Sequence, residues 1–543
     1  MANSVIEEIR KFLHGDLDDG ESVRQKYSRD ASLFEIKPQA VIFPKDVDDI
    51  KNLVKFASKN KSVSLTARSG GTDMTGGPLT ESLVLEFDKY FNQVKEVGPG
   101  YAITQPGVYY RDFEKATMKS NQLLPSYPAS REICALGGMI ANNSGGEKSL
   151  VYGKTQNYIQ ELKVVLADGN EYEVKKLSKA ELNKKMRQGD FEGELYRKIY
   201  DLFEKKKEPI KESKPQVSKN SSGYNIWDVW DGENFDLTKL LVGSQGTLGI
   251  VTEAKLRLVQ NKAHSGMLVV FLKDLNILGD LVNAVLPFKP MSFESFDDAT
   301  LKLALKFFPG FLKLMGAKNL LSLGWSFLPE FWLILTYGTP KLVCLVEFEE
   351  DTEEEVVRKI KELQERLKNF PVKMKLAIKE KDEKKYWVIR RESFNLLRHK
   401  VAGKQTAPFI DDFIVRPEKL PEFLPKLDVI IKKYELHATI AGHVGDGNFH
   451  IIPLMVLANE EDRKKIPAAL EEVINLVIEY KGSISAEHND GLIRSPYLPK
   501  MFGETVYKIF EEVKSIFDPL NIFNPGKKVG ASLDYTFQHM KKS

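Results

Sequence analysis

Three glycine-rich loops, each at the end of a strand-like run, constrain this chain more than any other feature of its sequence. The first, Arg68–Gly77 (RSGGTDMTGG), follows the apolar run Val63–Thr66 and holds four glycines in ten residues. Glycine permits positive φ and close backbone approach. Consecutive N–H groups in such a turn form an anion-binding nest suited to a pyrophosphate. The second loop, Ala135–Gly146 (ALGGMIANNSGG), is followed by Tyr152, Gly153 and Thr155, and the third, Gly243–Ile250 (GSQGTLGI), runs into Val251–Leu258. One such loop reads equally well as a surface turn; three indicate a long ligand held along its length. The first matches neither G-x-G-x-x-G nor the P-loop pattern, which excludes a Rossmann or NTPase assignment.

A chain of 543 residues needs two or three cores. From about 38 to 260, strands alternate with helices: Val41–Phe43, a helix opened by Pro44-Lys45-Asp46 with Val47, Ile50, Leu53, Val54 and Ala57 as its apolar stripe, then Val63–Thr66. A strand pair over 160–174 turns at Asp168–Gly169, the lysine-rich stretch 175–220 reads as an exposed insertion, and strands return at 239–259. Strands near 267–272 and 342–348 and helices at 351–368 and 459–480 follow, and 481–530 reads as rich in loops. The expected organisation is an N-terminal helical segment (1–36), a nucleotide-binding domain (37–260), a cap domain (261–480) and a C-terminal return (481–543). The formal charge of +3, with acids and bases interleaved, gives no footing for a nucleic-acid partner. Cys134 and Cys344 are separated by 209 intervening residues with no C-x-x-C pair, so neither an iron–sulfur cluster nor a disulfide framework is expected. The amphipathic start, with acids early, is unlike a secretory signal, and a cytoplasmic setting is expected.

The ordered set of motifs resembles the FAD-binding oxidoreductases of the vanillyl-alcohol oxidase/p-cresol methylhydroxylase superfamily. It is most similar to the branch of glycolate oxidase flavin subunits, D-lactate dehydrogenases and D-2-hydroxyglutarate dehydrogenases. The residues carrying the resemblance are P-x-D-x-x-x-I at Pro44, the 68–77 loop, Pro128-Ala129-Ser130 with the 137–146 loop, and Gly243–Ile250. The resemblance implies an α+β fold: a two-subdomain FAD-binding domain plus an α+β cap with an antiparallel sheet. It implies that Arg68, Ser69, Gly70, Gly71, Thr72, Pro128, Ser130, Gly137, Gly138, Asn142, Ser144, Gly145, Gly249, Ile250 and Asn524 contact the flavin nucleotide. The pyrophosphate falls on the first two loops, Ile250 on the adenosine half, and the Asn524–Lys527 motif (NPGK) returns to the ring. Some members tether the flavin through a histidine in the first loop; Gly71-Thr72-Asp73 has none, so the FAD is expected to be non-covalent.

Four of the eight histidines lie within 437–488. If Asp446–Gly447 is a two-residue hairpin turn, His443 pairs directly with His450, and imidazoles so placed can chelate one ion. His437 has the same strand parity. Polar residues on an open sheet face are the alternative. By the resemblance, His443, His450 and Glu487 bind a divalent metal and His488 is the base. Such a donor set suits Zn²⁺, with Mn²⁺ or Fe²⁺ also compatible. Glu487 and His488, on a strand-like backbone, would point apart.

A 2-hydroxy acid needs a cation for its carboxylate, and Arg390, in the Tyr386–Glu392 segment (YWVIRRE), is the candidate clamp. D-2-hydroxyglutarate dehydrogenases place a lysine where Ile410 stands, with Lys400 or Lys404 as substitutes. The expected substrate is therefore D-lactate or glycolate-like. The alternatives are D-2-hydroxyglutarate oxidation and alkylglycerone-phosphate-synthase-like chemistry without net oxidation. The chain ends at Ser543 with no cysteine-bearing extension, so the expected acceptor is separate: a quinone, an electron-transfer flavoprotein or an iron–sulfur protein. The apolar stretch 301–337 carries lysines at 302, 306, 313 and 318 and is broken by Pro309, Gly310 and Pro329. It reads as a buried cap insertion, with peripheral contact to the inner face of the membrane as the alternative. For the flavin the expectation is direct: acid precipitation should release all yellow colour into the supernatant, and colour kept in the washed pellet would refute non-covalent attachment.

Overall fold

The parallel pairing in the first sheet follows from the local sequence around Asp46. In the computed structural model, which describes residues 2–298, 300–302, 338–379, 382–391 and 404–542, four strands form this sheet: β1 (Asp16–Asp18), β2 (Ala40–Phe43), β3 (Leu65–Arg68) and β4 (Leu83–Glu86), in the order β1-β2-β4-β3. Both β2 and β3 run parallel to β4. Parallel neighbours require a crossover, and helix α1 (Val47–Lys59) lies between β2 and β3 in the chain. Asp46 caps it by accepting the N–H of Asp49, and Ile50, Leu53, Val54 and Ala57 form its buried stripe.

A second, fully antiparallel sheet contains β5 (Val94–Gly98), β6 (Tyr101–Thr104), β7 (Ile159–Val165), β8 (Glu171–Lys175) and β9 (Ile250–Arg257), ordered β5-β6-β9-β7-β8. The Asp168–Gly169 turn forms between β7 and β8, with Gly169 at φ +73°. Most of the second glycine segment is not a loop as expected: its residues Leu136–Asn142 form helix α2, which ends at Asn143 in the left-handed region. The lysine-rich stretch departs from the expectation of an exposed insertion. It folds into helices, of which α3 (Phe191–Lys205) buries Leu195, Tyr196, Ile199, Leu202 and Phe203 in the core beneath the second sheet. Its lysines alternate with that apolar stripe, so composition hid the periodicity.

The cap is built on one antiparallel sheet: β10 (His264–Leu272), β11 (Ser292–Asp297), β12 (Leu342–Glu350), β13 (Lys373–Ala377), β14 (Gln405–Thr406), β15 (Phe413–Ile414), β16 (His437–His443) and β17 (Asn448–Met455). The order is β13-β10-β12-β11-β16-β17-β14, with β15 also on β17. Leu268, Val270, Cys344, Val346 and Phe348 point into the core shared with α4 (Leu278–Val285) and α5 (Glu353–Leu367). Alternation along the strands turns Ser292, Glu294, Glu347, His443 and His450 to the opposite face. The expectation of a loop-rich 481–530 is also corrected: α6 (Leu498–Phe517) runs through it, broken at Gly503 (φ +75°), and the part beyond the break returns Val506, Ile509, Phe510, Val513 and Phe517 to the core of the second sheet. Its hydrophobic spacing is masked by the short polar motifs on either side. No helix among the described residues is long and apolar enough to cross a membrane. Residues 303–337, most of the apolar stretch, lie outside the described residues, as does Lys400.

Two buried groups give stability predictions. Lys528 and Asp490, both fully buried, pair at 2.7 Å. Removing one partner of such a pair leaves the other uncompensated, so Asp490→Ala should cost about 3–5 kcal/mol in urea unfolding. Glu347 is held by Trp387 Nε1–H (3.1 Å) and the Ser292 hydroxyl (3.0 Å). Burial pushes its carboxyl up to about 8 from the ordinary 4.5, with Glu349 and Glu147 adding to the effect. Between those values the folded state keeps a proton that the unfolded chain has released, so stability falls as pH rises through that window. Glu347→Gln should flatten that slope, measured as urea midpoints against pH.

Candidate active site

Strands β16 and β17 carry His443 and His450, but not in the register expected from a two-residue turn. His443 pairs with Asn448 and His450 with Ala441, so Val444–Gly447 form a longer loop. Gly447 is left-handed at φ +74°; the loop closes through Asp446 N–H to the His443 carbonyl (3.0 Å) and Gly447 N–H to the Val444 carbonyl (3.1 Å), and Val415 N–H donates to the Gly447 carbonyl (3.1 Å). The shift is an even number of residues, so parity and face survive. The imidazoles become diagonal neighbours, ring centroids 5.2 Å apart. His437 shares the parity but sits exposed at the far end of β16.

Each imidazole has one nitrogen committed to a buried carboxylate. His443 Nδ1 meets Glu294 at 2.5 Å and His450 Nδ1 meets Asp411 at 3.0 Å. The Nε2 atoms then converge on one oxygen, Glu487 Oε1, at 2.9 Å from His443 and 3.5 Å from His450. These three residues offer ligand atoms within 4.8 Å of one another. Burial and Lys219 oppose the charge on His443, yet Glu294 and Glu487 together outweigh them and raise the imidazole above its ordinary value. Glu487 is driven well below the carboxylate range: burial works against this, but Lys219 and His443 prevail.

His488 stacks on His450, centroids 4.9 Å apart at 22°, and its Nδ1 meets the other oxygen of Asp411 at 2.6 Å. Burial lowers its affinity for a proton, but Asp411 and Asp412 outweigh that and push it up to about 9. Glu487 and His488 do not lie on a strand as expected. Beyond the bridge of Ser483 to Ile414 the backbone bends, and Asp412 gathers it. Its carboxylate accepts the N–H groups of Glu487 (3.0 Å) and His488 (2.7 Å) and the Ser485 hydroxyl (2.8 Å). Arg390, on the helical residues 382–391, reaches Glu294 Oε2 through Nε (3.2 Å) and Nη2 (3.1 Å). The carboxylate that orients His443 is thus also held by the candidate clamp.

The glycine loops meet beside this centre. A Cβ on Gly70 would fall 2.7 Å from the Ile133 carbonyl oxygen, and one on Gly137 2.7 Å from Pro106, so only glycine lets these backbones abut. Asn142 Nδ2 donates to Asp73 at 2.9 Å. Asn524 Nδ2 donates to the carbonyls of Gly77 (2.9 Å) and Gln245 (2.8 Å), tying the C-terminal motif to the first and third loops. Ser69, Gly70, Gly71, Thr72, Pro128, Ser130, Gly137, Gly138 and Asn142 remain partly exposed, a strip of backbone with few side chains over it. Ser144 and Gly145 are buried, and a Cβ on Gly145 would sit 3.0 Å from Glu487 Oε2, so the second loop backs directly onto the histidine centre. Gly249 adopts φ +156° and Ile250 is buried in the first-sheet core. Arg68 points away from the strip to the carbonyls of Tyr27 and Arg29.

Sequence reasoning missed Glu294, Asp411, Asp412 and Lys219. The adjacent pair Asp411-Asp412 in an apolar setting was the available signal, since buried acids demand partners. Glu294 and Lys219 had none: one acid on a strand, one lysine among many.

Residues 38–175 match the FAD binding domain family and 262–528 the C-terminal domain of FAD linked oxidases. Among curated proteins, the chain is 28% identical over 518 residues to the D-2-hydroxyglutarate dehydrogenase of Pseudomonas putida, covering 93% of this chain and 50% of that protein. It is 28% identical to glycolate oxidase subunit GlcD of Bacillus subtilis, covering 94% and 93%. It is 27% identical to the D-lactate dehydrogenase of Archaeoglobus fulgidus, covering 90% and 91%. The chain thus spans about half the length of the first of these relatives. Among solved structures, p-cresol methylhydroxylase superposes with a TM-score of 0.68 at 15% identity, covering 97% of this chain and 96% of that one. An alkyldihydroxyacetonephosphate synthase gives 0.68 at 16%, covering 96% and 86%; likeness at such identity speaks for the fold alone. The chain belongs to the FAD-linked oxidases, on a fold of the p-cresol methylhydroxylase type.

Proposed function

We propose that the protein binds FAD non-covalently and oxidises a small D-2-hydroxy acid, D-lactate or glycolate-like, to the 2-oxo acid, passing the electrons to a separate acceptor. The observation that carries this reading is the convergence of two Nε2 atoms on Glu487 Oε1 while both Nδ1 atoms face carboxylates. With Nδ1 facing Glu294 and Asp411, each Nε2 is left to carry a proton toward Glu487 Oε1 or to offer its lone pair to a cation held there. A divalent cation, Zn²⁺ or Mn²⁺/Fe²⁺, can take the place of those protons, and carboxylate-backed imidazoles are the usual setting of metal ligands. The donor set fits. The bare glycine strip likewise fits a flavin nucleotide held by backbone N–H groups.

When bound, the ion would lower the hydroxyl pKa and fix its orientation, and FAD would take the hydride from Cα. The chain supplies the rest. His488 in its neutral form, which a cation on the neighbouring ligands would favour, accepts the hydroxyl proton. Its side chain is 23% exposed while His443 and His450 are at 8% and 7%, so it is the imidazole that an entering substrate can reach. Asp411 orients it through Nδ1 and stabilises the imidazolium that forms. Arg390 is the proposed anchor for the substrate carboxylate. Ile410, buried in the cap core, offers no cation to a second carboxylate, which favours a short substrate over D-2-hydroxyglutarate.

Anaerobic mixing with D-lactate, glycolate and D-2-hydroxyglutarate should bleach the flavin fastest with the first two. His443→Ala should lose metal and activity together and keep FAD. His488→Asn should keep both metal and FAD but reduce its flavin about 10²–10⁴-fold more slowly. Flavin reduction at the parent rate, or metal loss in His488→Asn, would refute the role of His488.

A further inference from the structure

Lys219 opens a segment, Lys219–Gly223, that is fastened at nearly every backbone position. Lys154 Nζ donates to the Asn220 carbonyl (2.5 Å) and the Ser221 hydroxyl (2.7 Å). Ser221 N–H donates to the Ser485 carbonyl (2.9 Å). Lys528 Nζ reaches the carbonyls of Ser221 (3.0 Å) and Gly223 (2.7 Å), and Gly223 N–H reaches Asp490 (2.8 Å). This framework fixes where Lys219 points. Its side chain is 2% exposed, with Nζ 3.1 Å from Glu487 Oε2 and 3.3 Å from Asp446 Oδ2. Asp446 sits in the loop joining the two histidine strands, and its other oxygen accepts the Ser218 hydroxyl at 2.6 Å. One ammonium therefore spans the two segments that carry His443, His450 and Glu487.

We propose that Lys219 is a positioning residue of this centre: it occupies Glu487 Oε2, so that Oε1 alone meets the imidazoles, and it keeps the Asp446 carboxylate out of the ligand set. The inference rests on reading His443, His450 and Glu487 as metal ligands. The charge matters as well as the hydrogen bond. A neutral donor would hold Glu487 equally well, whereas a buried cation beside the site weakens its hold on a metal ion. What is gained is openness. Two nitrogens and one oxygen form a three-donor set of the kind that leaves coordination positions for a substrate; with Lys219 absent, Glu487 Oε2 and Asp446 are free to fill them.

The test is a Co²⁺ titration of the full-length, flavin-retaining, metal-depleted protein. Lys219→Met should bind Co²⁺ at least about tenfold tighter, at the lower end of the effect of outer-sphere partners on metal sites, and with an altered ligand-field spectrum. A role in packing alone gives the opposite sign, a loosened site with weaker binding. If Lys219→Met does not fold, Lys219→Gln keeps a donor for Glu487 without the charge and should also tighten binding. Lys219→Arg should restore the parent spectrum and affinity. Parent-like or weaker binding in the neutral variants, with the parent spectrum, overturns the role of Lys219 alone. A parent protein that takes up no Co²⁺ overturns the ligand assignment, and the inference with it.

Discussion

Two adjacent aspartates do most to hold the candidate site in one arrangement. Asp412 takes a left-handed backbone, φ +64°, a conformation that Asp tolerates better than most residues. That twist sends its carboxylate toward Glu487 and His488 N–H and the Ser485 hydroxyl, while Asp411 faces the rings of His450 and His488. Arg494 closes the arrangement by donating to the Asp411 carbonyl and, at 2.8 Å, to that of Asn489. One dipeptide thus orients a strand histidine, a loop histidine and the backbone of the loop that carries Glu487. Charge-assisted bonds of this kind are the stronger ones, and in a buried setting each lost partner would expose a full desolvation cost.

The same logic joins the two halves of the chain. The second glycine loop lies against Glu487, and the residues just after it reach the cap: Lys148 pairs with Glu349 at 2.7 Å and Glu147 with Arg391 at 2.6 Å. From the other side, Lys154 donates to the Ala486 carbonyl at 2.8 Å. The glycine strip and the histidine face of the cap therefore meet across a seam fastened by ion pairs close to both. Alignment of a hydride donor and acceptor is sensitive to small displacements, and a seam held at several points limits them.

Much of the fold was legible because period and punctuation agree in the sequence. Asp46 before an amphipathic run announced α1, and apolar runs announced the central cap strands. The errors came where one signal masked another. Lysines disguised the apolar stripe of α3, and short polar motifs disguised α6. At the histidine hairpin the Asp446–Gly447 pair resembled a two-residue turn, but the loop closes one step earlier, on the carbonyls of His443 and Val444, and is held from outside by Val415, a contact that no local pattern reveals. Parity protected the functional conclusion, since only an odd shift would have turned one histidine away. The partners of the histidines were illegible for a different reason. Glu294 lies 149 positions from His443, and nothing local distinguishes a carboxylate that will be buried against an imidazole from one that will be solvated.

Charge balance explains why such a site can exist inside the protein. Glu294, Asp411, Asp412, Asp446 and Glu487 are all buried, and five carboxylates so close would repel one another and take up protons if left alone. Arg390 offsets Glu294, Lys219 offsets Glu487 and Asp446, and Lys154 and Arg494 engage the adjoining backbone carbonyls. The imbalance that remains is concentrated at Asp411 and Glu487, the two acids that face the three imidazoles. The imidazoles answer that imbalance: Glu294 and Glu487 raise the proton affinity of His443, and Asp411 and Asp412 that of His488. Were the proposed divalent cation bound there, it would displace protons from its ligands.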